Sequence, residues 1–273
     1  MLKKINVTLV GAGHYARDLA YPLYSKNPRC NVKATISPHS SIPGVPVFKS
    51  VQEWEDCYGR AKEDDVFDMC VFADAINPLL FAIAEIGGKK FVLPKPISED
   101  VTDLLRLFSL RDKYNAEIYV ASQWFYENEI YEKSKWERGI VKIIFEESFE
   151  NDNYGAFNSF LPHALQMCHS MYIEGFGKTY FPNRPSKKRF EIWTGIVRPV
   201  IIEINLGCHR KTRTIRIGKT EYNLLGRHEP FTIMIDSMVK GFCGEPVIIQ
   251  TLDNYYPIAK QYLDIKKNAG FCV

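Results

Sequence analysis

The stretch Ile5-Asn6-Val7-Thr8-Leu9-Val10-Gly11-Ala12-Gly13-His14-Tyr15-Ala16 decides how the first part of this chain folds. Its apolar half predicts a β-strand, and the glycines that follow predict a tight turn into a helix. In the pattern G-x-G-x-x-A, Gly11 permits the turn, Gly13 lets the backbone approach a pyrophosphate, and Ala16 lets the helix pack closely on the strand. A plain turn also uses glycine, but a strand before the motif and a helix after it favour a dinucleotide site. The residues that this site would use are Gly11, Gly13, His14, Tyr15 and Ala16.

The composition of the chain limits its class and its partners. Its 273 residues are enough for one large domain or two ordinary ones. The 35 basic and 32 acidic side chains leave a net charge of +3, which gives no strong field for nucleic acid or for a membrane. No apolar run reaches the roughly 18 residues of a membrane span, and the first strand stands where a signal peptide would be. We therefore expect a cytoplasmic protein with no nucleic-acid or membrane partner.

The seven cysteines are scattered singly, without a C-x-x-C pair. An odd number of unclustered cysteines in a chain without a secretion signal indicates reduced thiols. Cys70 lies in the apolar run Met69-Cys70-Val71-Phe72, so it is predicted to fill the core rather than to act as a nucleophile. The sequence predicts no metal site.

Strand-like and helix-like segments alternate through the first third of the chain, which predicts a parallel sheet with crossover helices. The predicted strands are Ile5–Val10, Asn31–Ser37, Val45–Phe48, Asp68–Ala73, Phe91–Leu93 and Glu117–Ala121. The predicted helices are Tyr15–Tyr24, one that opens at Ser50 with a capping box, Pro78–Ile86, and one capped by Ser98-Glu99-Asp100 that runs to Tyr114.

Alternation of apolar and polar residues dominates after Ser122 and predicts antiparallel strands. These strands are Val141–Phe149, Lys188–Thr194, Pro199–Leu206 and Thr212–Ile217, and the helices are Phe160–Tyr172, Pro230–Phe242 and Leu252–Asn268. The expected fold is α/β, with a doubly wound parallel sheet in domain 1–121 and an α+β domain on a mostly antiparallel sheet in 122–273. This division is also compatible with a last helix that packs against the first domain.

Two further motifs give the chain a resemblance to a known family. The segment Gly88-Lys89-Lys90-Phe91-Val92-Leu93-Pro94-Lys95-Pro96 lies where the glucose-fructose oxidoreductase and inositol dehydrogenase family, Gfo/Idh/MocA, has a Glu-Lys-Pro signature. Lys95 and Pro96 match this signature, and Pro94 replaces the glutamate. Ser159-Phe160-Leu161-Pro162-His163 stands in place of the family's Asp-x-x-x-His, with the histidine kept and the aspartate missing. The chain resembles an atypical short member of this family over essentially its whole length.

The resemblance implies an N-terminal Rossmann domain and an NAD(P)-dependent oxidoreductase. Such an enzyme transfers hydride to or from a small sugar-like carbonyl, imine or alcohol. Hydride transfer needs a group that exchanges the hydroxyl proton and a charge that stabilises the oxyanion. By resemblance, His163 exchanges the proton, for which histidine is suited near neutral pH, and Lys95 supplies the charge beside the substrate oxygen and the nicotinamide ribose. The resemblance also implies that Ser159 and His163 contact the substrate.

Each of the two candidate catalytic residues also has a purely structural interpretation. His163 follows Pro162, a residue that suits the first turn of a helix, so the histidine is also compatible with an ordinary helix start. A lysine after a strand is commonly exposed. Pro94 and Pro96, however, restrict the backbone on both sides of Lys95 and fix its direction.

The missing aspartate leaves the reaction open. Ser159 can offer only a hydroxyl in its place, and the acids and amides before it are Glu150, Asp152 and Asn158. Either one of these substitutes for the aspartate, or the chain reduces a ketone or an imine, whose product needs one proton donor and no dyad. The loss of both family carboxylates supports an alternative function, a catalytically inactive NADP(H)-binding sensor or assembly protein. A third function is a glycosidase that uses its dinucleotide without net redox change.

The end of the second strand decides between the two nicotinamide cofactors. An acidic residue there would bind the adenosine 2′-hydroxyl and select NAD, but the residue is Ser37, followed by Pro38-His39-Ser40-Ser41. A hydroxyl-rich loop without a carboxylate accommodates a 2′-phosphate. The sequence therefore favours NADP(H) over NAD(H), with Ser37, His39 and Ser40 at the cofactor, although a simple polar turn would have the same composition.

Two more loops match positions that face the cofactor or the substrate in the family. The resemblance places Asp74 and Asn77 at the cofactor, although Asn77 would also suit a helix cap. After the sixth strand it places Gln123 at the nicotinamide and Trp124 and Tyr126 at the substrate. Aromatic residues stand where the family has an arginine, which indicates a less polar or planar substrate, or else a buried core.

Basic residues cluster in Asn183–Arg189 and in His209–Arg213. Solvated loops usually explain such charge runs. The alternative is a site for an anionic substrate, such as a phosphorylated or nucleotide-linked sugar. The family resemblance also implies a homodimer or homotetramer formed through the sheet of the second domain.

Overall fold

The computed structural model describes residues 3–134, 137–147, 155–171, 180–182, 189–194, 199–206 and 211–270. The chain forms two compact units. The first comprises Met1–Ala121 and Phe231–Tyr256, and the second comprises Ser122–Pro230 and Pro257–Val273. The chain thus leaves the first unit after Ala121 and returns to it for one C-terminal stretch.

The first unit is built on a six-stranded parallel sheet, which confirms the predicted doubly wound fold. Its strands are β1 (Ile5–Val10), β2 (Cys30–Ile36), β3 (Val47–Phe48), β4 (Asp65–Met69), β5 (Lys90–Pro94) and β6 (Glu117–Ala121). They are arranged in the order β3-β2-β1-β4-β5-β6. The chain moves in one direction from β1 to β3 and in the other from β4 to β6. The crevice between β1 and β4 is therefore the topological switch point, where open α/β sheets bind ligands.

Helices cover both units. The α-helices in the described part of the chain are α1 (Tyr21–Lys26), α2 (Val51–Tyr58), α3 (Ala73–Glu85), α4 (Val101–Tyr114), α5 (Asn128–Ser134), α6 (Gly155–Ser170), α7 (Glu229–Phe242) and α8 (Leu252–Asn268). A π-helical turn, Ala16–Ala20, precedes α1, and a 3-10 turn, Gln123–Tyr126, precedes α5. The predicted helix Tyr15–Tyr24 is therefore present as the π-helical turn and α1.

Two helix starts follow from side-chain caps. The Ser50 hydroxyl accepts a hydrogen bond from the Glu53 amide at 3.2 Å, and the Glu53 carboxylate accepts one from the Lys49 amide at 2.7 Å. This arrangement confirms the predicted cap of α2. Asp100 caps α4, because its carboxylate accepts a hydrogen bond from the Asp103 amide at 2.8 Å. Both caps satisfy N–H groups that a first helical turn leaves without intrahelical partners.

Two predicted elements in the first unit begin or end three or more residues from their predicted positions. β4 covers Asp65–Met69 rather than Asp68–Ala73. Asp65 is accommodated in the sheet because Lys33 pairs with it, with 2.8 Å between the Nζ and Oδ1 atoms. The apolar residues after β4 open α3, which starts five residues earlier than predicted and carries Pro78 inside the helix. An apolar run that follows a buried strand therefore belongs here to the next helix.

The second unit contains a five-stranded sheet in the order β11-β10-β7-β9-β8. Its strands are β7 (Val141–Glu147), β8 (Arg189–Thr194), β9 (Val200–Leu206), β10 (Thr212–Ile217) and β11 (Thr220–Asn223). Three pairings of described strands are antiparallel, which confirms the mostly antiparallel sheet. The pairing of β7 with β9 is parallel, which the alternating pattern of the two strands does not reveal. α6 and β8 lie between them in the chain and supply the long crossover that parallel neighbours need.

α6 packs against β9 on the buried face of this sheet. Alternate residues of the neighbouring strands β7 and β9 are buried, among them Ile143, Phe145, Ile202 and Ile204. α6 begins at Gly155, five residues before the predicted start. The predicted ends Phe149, Tyr172 and Lys188 lie outside the described residues.

Neither α5 nor β11 is predicted from the sequence. β11 forms a tight hairpin with β10 through Gly218-Lys219, in which Gly218 has a φ of +58°. A two-residue turn with a leading glycine is the signal that would have identified this strand. None of the helices in the described part of the chain combines the length and the apolar character that a membrane span requires.

Candidate functional site

Three predicted cofactor residues follow the carboxyl ends of strands in the first unit. Gly11 follows β1, Ser37 follows β2 and Lys95 follows β5. Val10 of β1 pairs with Ile36 of β2, and the Gly11 amide donates a hydrogen bond to the Ile36 carbonyl at 2.8 Å. Because parallel strands end at one edge of a sheet, all three residues lie along the edge that contains the β1–β4 crevice.

Gly11 is required by the local geometry. Its φ is +102°, a conformation that residues with a side chain rarely adopt. A Cβ atom built on Gly11 would lie 2.5 Å from the Cys70 carbonyl oxygen at the end of β4. The glycine therefore lets the turn after β1 pass close to the backbone that follows β4.

Gly13 differs from Gly11, because no neighbouring atom in the described part of the protein requires a residue without a side chain at this position. A Cβ atom built there would meet no atom within 4 Å, and the residue is exposed. His14 beside it is also exposed and forms an ion-pair contact with Asp18 one helical turn later. Ala16 is fully buried at the start of the helix. The open space at Gly13, at the start of a helix, fits the pyrophosphate of a dinucleotide.

A network of buried polar groups lies under this turn and is not predicted from the sequence. Asp68 of β4 is 1% exposed and accepts hydrogen bonds from the Tyr24 hydroxyl at 3.0 Å and from the Cys70 thiol at 3.6 Å. The Tyr15 hydroxyl is buried and has no hydrogen-bond partner among the described residues. Burial raises the pKa of the Tyr15 hydroxyl and that of the Cys70 thiol, and the Asp68 charge adds to both shifts. Burial also raises the pKa of Asp68 to about 7, although both hydrogen bonds oppose the shift.

The raised pKa of Asp68 predicts that stability falls as pH rises. At pH values between the pKa of Asp68 in the unfolded chain and about 7, Asp68 is protonated in the folded state and ionised in the unfolded state. The free energy of unfolding should therefore decrease by about 1–2 kcal/mol from about pH 5.5 to about pH 7.5. Urea unfolding at both pH values measures this change. Asp68→Asn should reduce the decrease, and an equal decrease in the variant and the parent protein would contradict the assignment to Asp68.

The loop after β2 holds the residues predicted to choose the cofactor. Ser37 is 5% exposed, and its hydroxyl shares a hydrogen bond of 3.1 Å with the Ser40 hydroxyl. The Ser37 amide donates to the Phe48 carbonyl at 2.8 Å, which fixes the start of the loop against β3. His39 is exposed. The two serine hydroxyls are therefore brought together directly after β2.

Asp74 and Asn77 lie in the first turns of α3 and line a groove between α3 and α4. This groove has a volume of about 680 Å³. The Asn77 amide donates to the Asp103 carbonyl of α4 at 3.1 Å, and its Oδ1 atom is buried without a hydrogen-bond partner among the described residues. The alternative that Asn77 caps its helix is wrong, because α3 begins at Ala73. The side chain of Asn77 instead links the two helices.

Lys95 stands at the carboxyl end of β5. Pro94 is the last residue of this strand and pairs with Ala121 of β6. Lys95 is half-buried, and the Lys95–Pro96 peptide bond is cis. The two prolines therefore flank the lysine at the sheet edge, in the first unit, whereas His163 belongs to the second unit.

The predicted residues after β6 are buried in the 3-10 turn of the second unit. The exposed fractions of Gln123, Trp124 and Tyr126 are 5%, 3% and 6%. The Trp124 carbonyl accepts a hydrogen bond from the Tyr131 hydroxyl of α5 at 2.5 Å. The Trp124 indole N–H is buried and has no partner among the described residues. The aromatic run is therefore largely core within this unit, and Trp124 keeps one unused donor.

His163 lies in the interior of α6. The helix begins at Gly155, so the alternative that His163 is a helix-start residue after Pro162 is wrong. The imidazole is buried, and ring centroids of Trp124, Phe145 and Phe160 lie at 6.3, 6.4 and 6.5 Å from it. One turn further along α6, Gln166 accepts a hydrogen bond from the Ser122 hydroxyl at 3.3 Å. The helix is thereby held against the segment that carries Trp124.

The missing family aspartate finds no described replacement. Ser159 lies in α6, but its side chain lies outside the described residues, as do Glu150 and Asp152. Asn158 accepts a hydrogen bond from the Tyr262 hydroxyl of α8. Asn158 is thus engaged within the second unit. No group of three or more His, Cys, Asp or Glu side chains in the described ranges is arranged to hold a metal ion.

The predicted basic stretches are only partly described, and one of them contains a cluster that was not predicted. Residues 183–188 and 207–210 lie outside the described residues. Arg213 and Lys211, however, both contact the buried carboxylate of Glu147. Only the spatial pairing of β7 with β10, and no local sequence signal, brings these groups together.

Comparisons with known proteins support the fold. No protein-family model matches the chain, and no curated protein matches it. GenD2 from gentamicin A biosynthesis, solved in complex with NAD, is similar in structure with a TM-score of 0.81 and 12% identity, over 99% of this chain and 95% of that one. The WlbA (WbpB) dehydrogenase from Thermus thermophilus, solved with NAD and UDP-GlcNAcA, has a TM-score of 0.74 and 13% identity, over 96% and 94%. The D-galactose-1-dehydrogenase protein from Rhizobium etli has a TM-score of 0.65 and 16% identity, over 94% and 96%. Over nearly its whole length, the chain shares the fold of these proteins, a Rossmann-type unit combined with a second unit on a mixed sheet.

Proposed function

We propose that the chain is an NAD(P)-dependent oxidoreductase of the Gfo/Idh/MocA type. The observation that carries this proposal is the turn after β1. Position 11 of this turn must be glycine because the Cys70 carbonyl leaves no room for a Cβ atom, and Gly13, at the start of a helix, has no atom near the position that its Cβ would take. This turn stands at the switch point of the parallel sheet, where a dinucleotide binds in such folds. The similar structures of GenD2 and of WlbA were solved with NAD, which supports the same cofactor class here.

A nicotinamide cofactor, when bound, accepts or donates the hydride. The chain's own residues must then bind the substrate oxygen and move its proton. We assign Lys95 to the substrate oxygen, because a cation at the carboxyl end of β5 stabilises developing negative charge there. We assign His163 to the proton, because its imidazole is held by α6 and by three aromatic rings that exclude water around it.

The substrate class that fits these roles is a small sugar-like carbonyl, imine or alcohol. Two similar proteins support a sugar as the substrate, since one is named a D-galactose-1-dehydrogenase and the other was solved with UDP-GlcNAcA. Ser159 replaces the family aspartate, so the proposed direction is reduction, in which the product needs one proton donor.

We further propose that NADP(H) is preferred over NAD(H). The segment from Ser37 to Gly44 contains no carboxylate that would repel a 2′-phosphate. Ser37→Asp should weaken NADPH binding by about tenfold or more through charge repulsion, and should leave NADH binding unchanged or improved. Fluorescence titration of both cofactors measures the change. Ser25→Asp, at an exposed serine near the end of α1 and outside this segment, is the matched control. Equal NADPH affinity in the Ser37 variant and the parent protein would remove Ser37 from cofactor choice.

Catalysis is tested by oxidation of NADPH, followed at its nicotinamide absorbance, across a panel of keto-sugars and imines. The proposal expects turnover with at least one member of the panel and none in its absence. Binding of NADPH without turnover on any member would favour the alternative function, an inactive NADP(H)-binding sensor or assembly protein. Cofactor retention with bond cleavage but no net redox change would favour a glycosidase.

A homodimer or homotetramer formed through the second-unit sheet is also part of the proposal. The face of this sheet opposite α6 carries half-buried residues such as Lys142, Ile144, Ile201 and Glu203. This surface combines apolar side chains with the Lys142–Glu203 ion pair, and such a surface suits contact with a second copy of the chain. Light scattering on the full chain measures the mass, and a monomer would contradict this assignment.

A further inference from the structure

A cluster of one acid and two cations lies at the end of β7 in the second unit. The Glu147 carboxylate is 1% exposed. Arg213 of β10 contacts its Oε1 atom through both Nε and a terminal nitrogen at 2.5 Å, and the Lys211 Nζ atom lies 3.4 Å from its Oε2 atom. One buried carboxylate therefore faces two cations, which leaves a local charge of +1.

The two cations remain accessible although the carboxylate is not. The exposed fraction of the Arg213 side chain is 28%, and that of Lys211 is 53%. Arginine has five N–H donors in a planar fork. The described hydrogen bonds and ion pairs of the Arg213 side chain all go to Glu147. Glu147 thus fixes the direction of the guanidinium, while further donors stay available to an outside acceptor.

The same arginine lies beside the candidate proton-exchanging residue within the second unit. The Arg213 guanidinium lies 5.6 Å from the Phe160 ring centroid. Phe160 precedes His163 by one turn of α6, and both rings approach Phe145, at centroid distances of 5.2 and 6.4 Å. Arg213 and His163 are therefore held by one aromatic cluster on the covered face of the sheet.

We propose that Arg213 and Lys211 bind an anionic group of the substrate, a phosphate or a carboxylate. This inference rests on the proposed oxidoreductase function and narrows its substrate to an acidic or phosphorylated sugar-like molecule. Arginine and lysine are the side chains that recognise such groups, and arginine does so with paired hydrogen bonds. Arg213 alone balances the buried charge of Glu147, and an ion pair with the half-exposed Lys211 adds little net stability. Charge compensation therefore does not account for the second cation.

The test titrates the full-length protein with glucose 6-phosphate, glucuronate and glucose by calorimetry. Binding of the phosphate or the carboxylate sugar, but not of glucose, is expected, and the stronger of the two identifies the source of the anion. Arg213→Met and Lys211→Gln should each weaken that binding by about tenfold or more. Arg216→Met is the matched control, because Arg216 pairs with Glu221 on the same hairpin and is half-exposed. It should change binding by less than about twofold.

Arg213→Met leaves Glu147 buried without its main partner and can unfold the protein. The paired variant Glu147→Gln with Arg213→Gln removes both charges and leaves two amides that can hydrogen-bond to each other, so it carries the test if the single variant does not fold. Absence of binding by both anionic sugars to the parent protein would overturn the proposal. So would unchanged binding in Lys211→Gln and in the folded Arg213 variant, or an equal loss in Arg216→Met.

A separate titration with NADPH distinguishes this proposal from the proposed function. All the variants are in the second unit and should bind NADPH as the parent protein does. If NADPH binds and neither anionic sugar does, the anion site fails and the proposed function is not contradicted. If NADPH and NADH both fail to bind, the oxidoreductase fails whatever the anions do.

Discussion

Gly11→Ala is expected to lower the free energy of unfolding by about 2–4 kcal/mol, because it combines backbone strain with a steric clash. The φ of +102° is unfavourable for alanine, and the new Cβ atom would lie 2.5 Å from the Cys70 carbonyl oxygen. That oxygen belongs to the backbone next to β4, so it cannot swing away as a flexible side chain would. Urea unfolding followed by circular dichroism measures the loss.

Gly13→Ala is the matched control for this prediction. The two glycines are two residues apart in one turn, but a Cβ atom at Gly13 meets nothing within 4 Å. The control should therefore change the free energy of unfolding by less than about 1 kcal/mol. Equal stability of the two variants would show that Gly11 is not required by the fold.

Lys95→Met is expected to lower kcat/KM by about 10²–10³-fold, the loss typical of removing one group that stabilises an oxyanion. Methionine keeps most of the length of lysine and removes the charge. The substrate is the molecule that the NADPH oxidation panel identifies, and steady-state kinetics measure the loss. A fall in kcat with little change in KM would show that the charge acts in the transition state rather than in binding.

Lys89→Met is the matched control for Lys95. Lys89 is exposed and directly precedes β5, at the end of the strand opposite to Lys95. The control should keep kcat/KM within about twofold of the parent value. An unchanged kcat/KM in Lys95→Met, or an equal loss in Lys89→Met, would contradict the role assigned to Lys95.

The parts of the fold that follow from local sequence are those with a local cause. The strand, the glycine turn and the buried Ala16 lie within twelve residues, and the structure has them in the predicted places. The caps at Ser50 and Asp100 follow from hydrogen bonds that span three residues. The predicted bounds of β6, β10 and α8 match, because their apolar patterns are regular.

The features that the sequence misses have two kinds of cause, namely contacts between distant segments and prolines that lie inside helices. β4 is shifted because Lys33, more than thirty residues away, makes Asp65 acceptable in the sheet. α3 and α6 start early because each tolerates a proline inside the helix, a residue that the sequence marks as a boundary. The parallel pairing of β7 with β9 depends on the crossover between them.

The same distinction applies to the candidate site. The positions of Gly11, Ser37 and Lys95 at the sheet edge could be predicted, because each lies at the end of a strand that the sequence itself reveals. The Asp68 network joins Tyr24 to a residue 44 positions later, and Glu147 meets Arg213 across 66 positions. No local pattern links such groups, so only the folded chain brings them together.

Fluorescence titration of the full chain and of Gly13→Asp with NADPH tests the central claim most directly. Aspartate at this position adds bulk and negative charge where the pyrophosphate is proposed to lie, in a space that the fold leaves open. The parent protein should bind NADPH saturably with one cofactor per chain, and the variant should stay folded and lose about 100-fold or more in affinity. Failure of the folded parent protein to bind either NADPH or NADH would contradict the claim, and so would equal affinity in the two proteins.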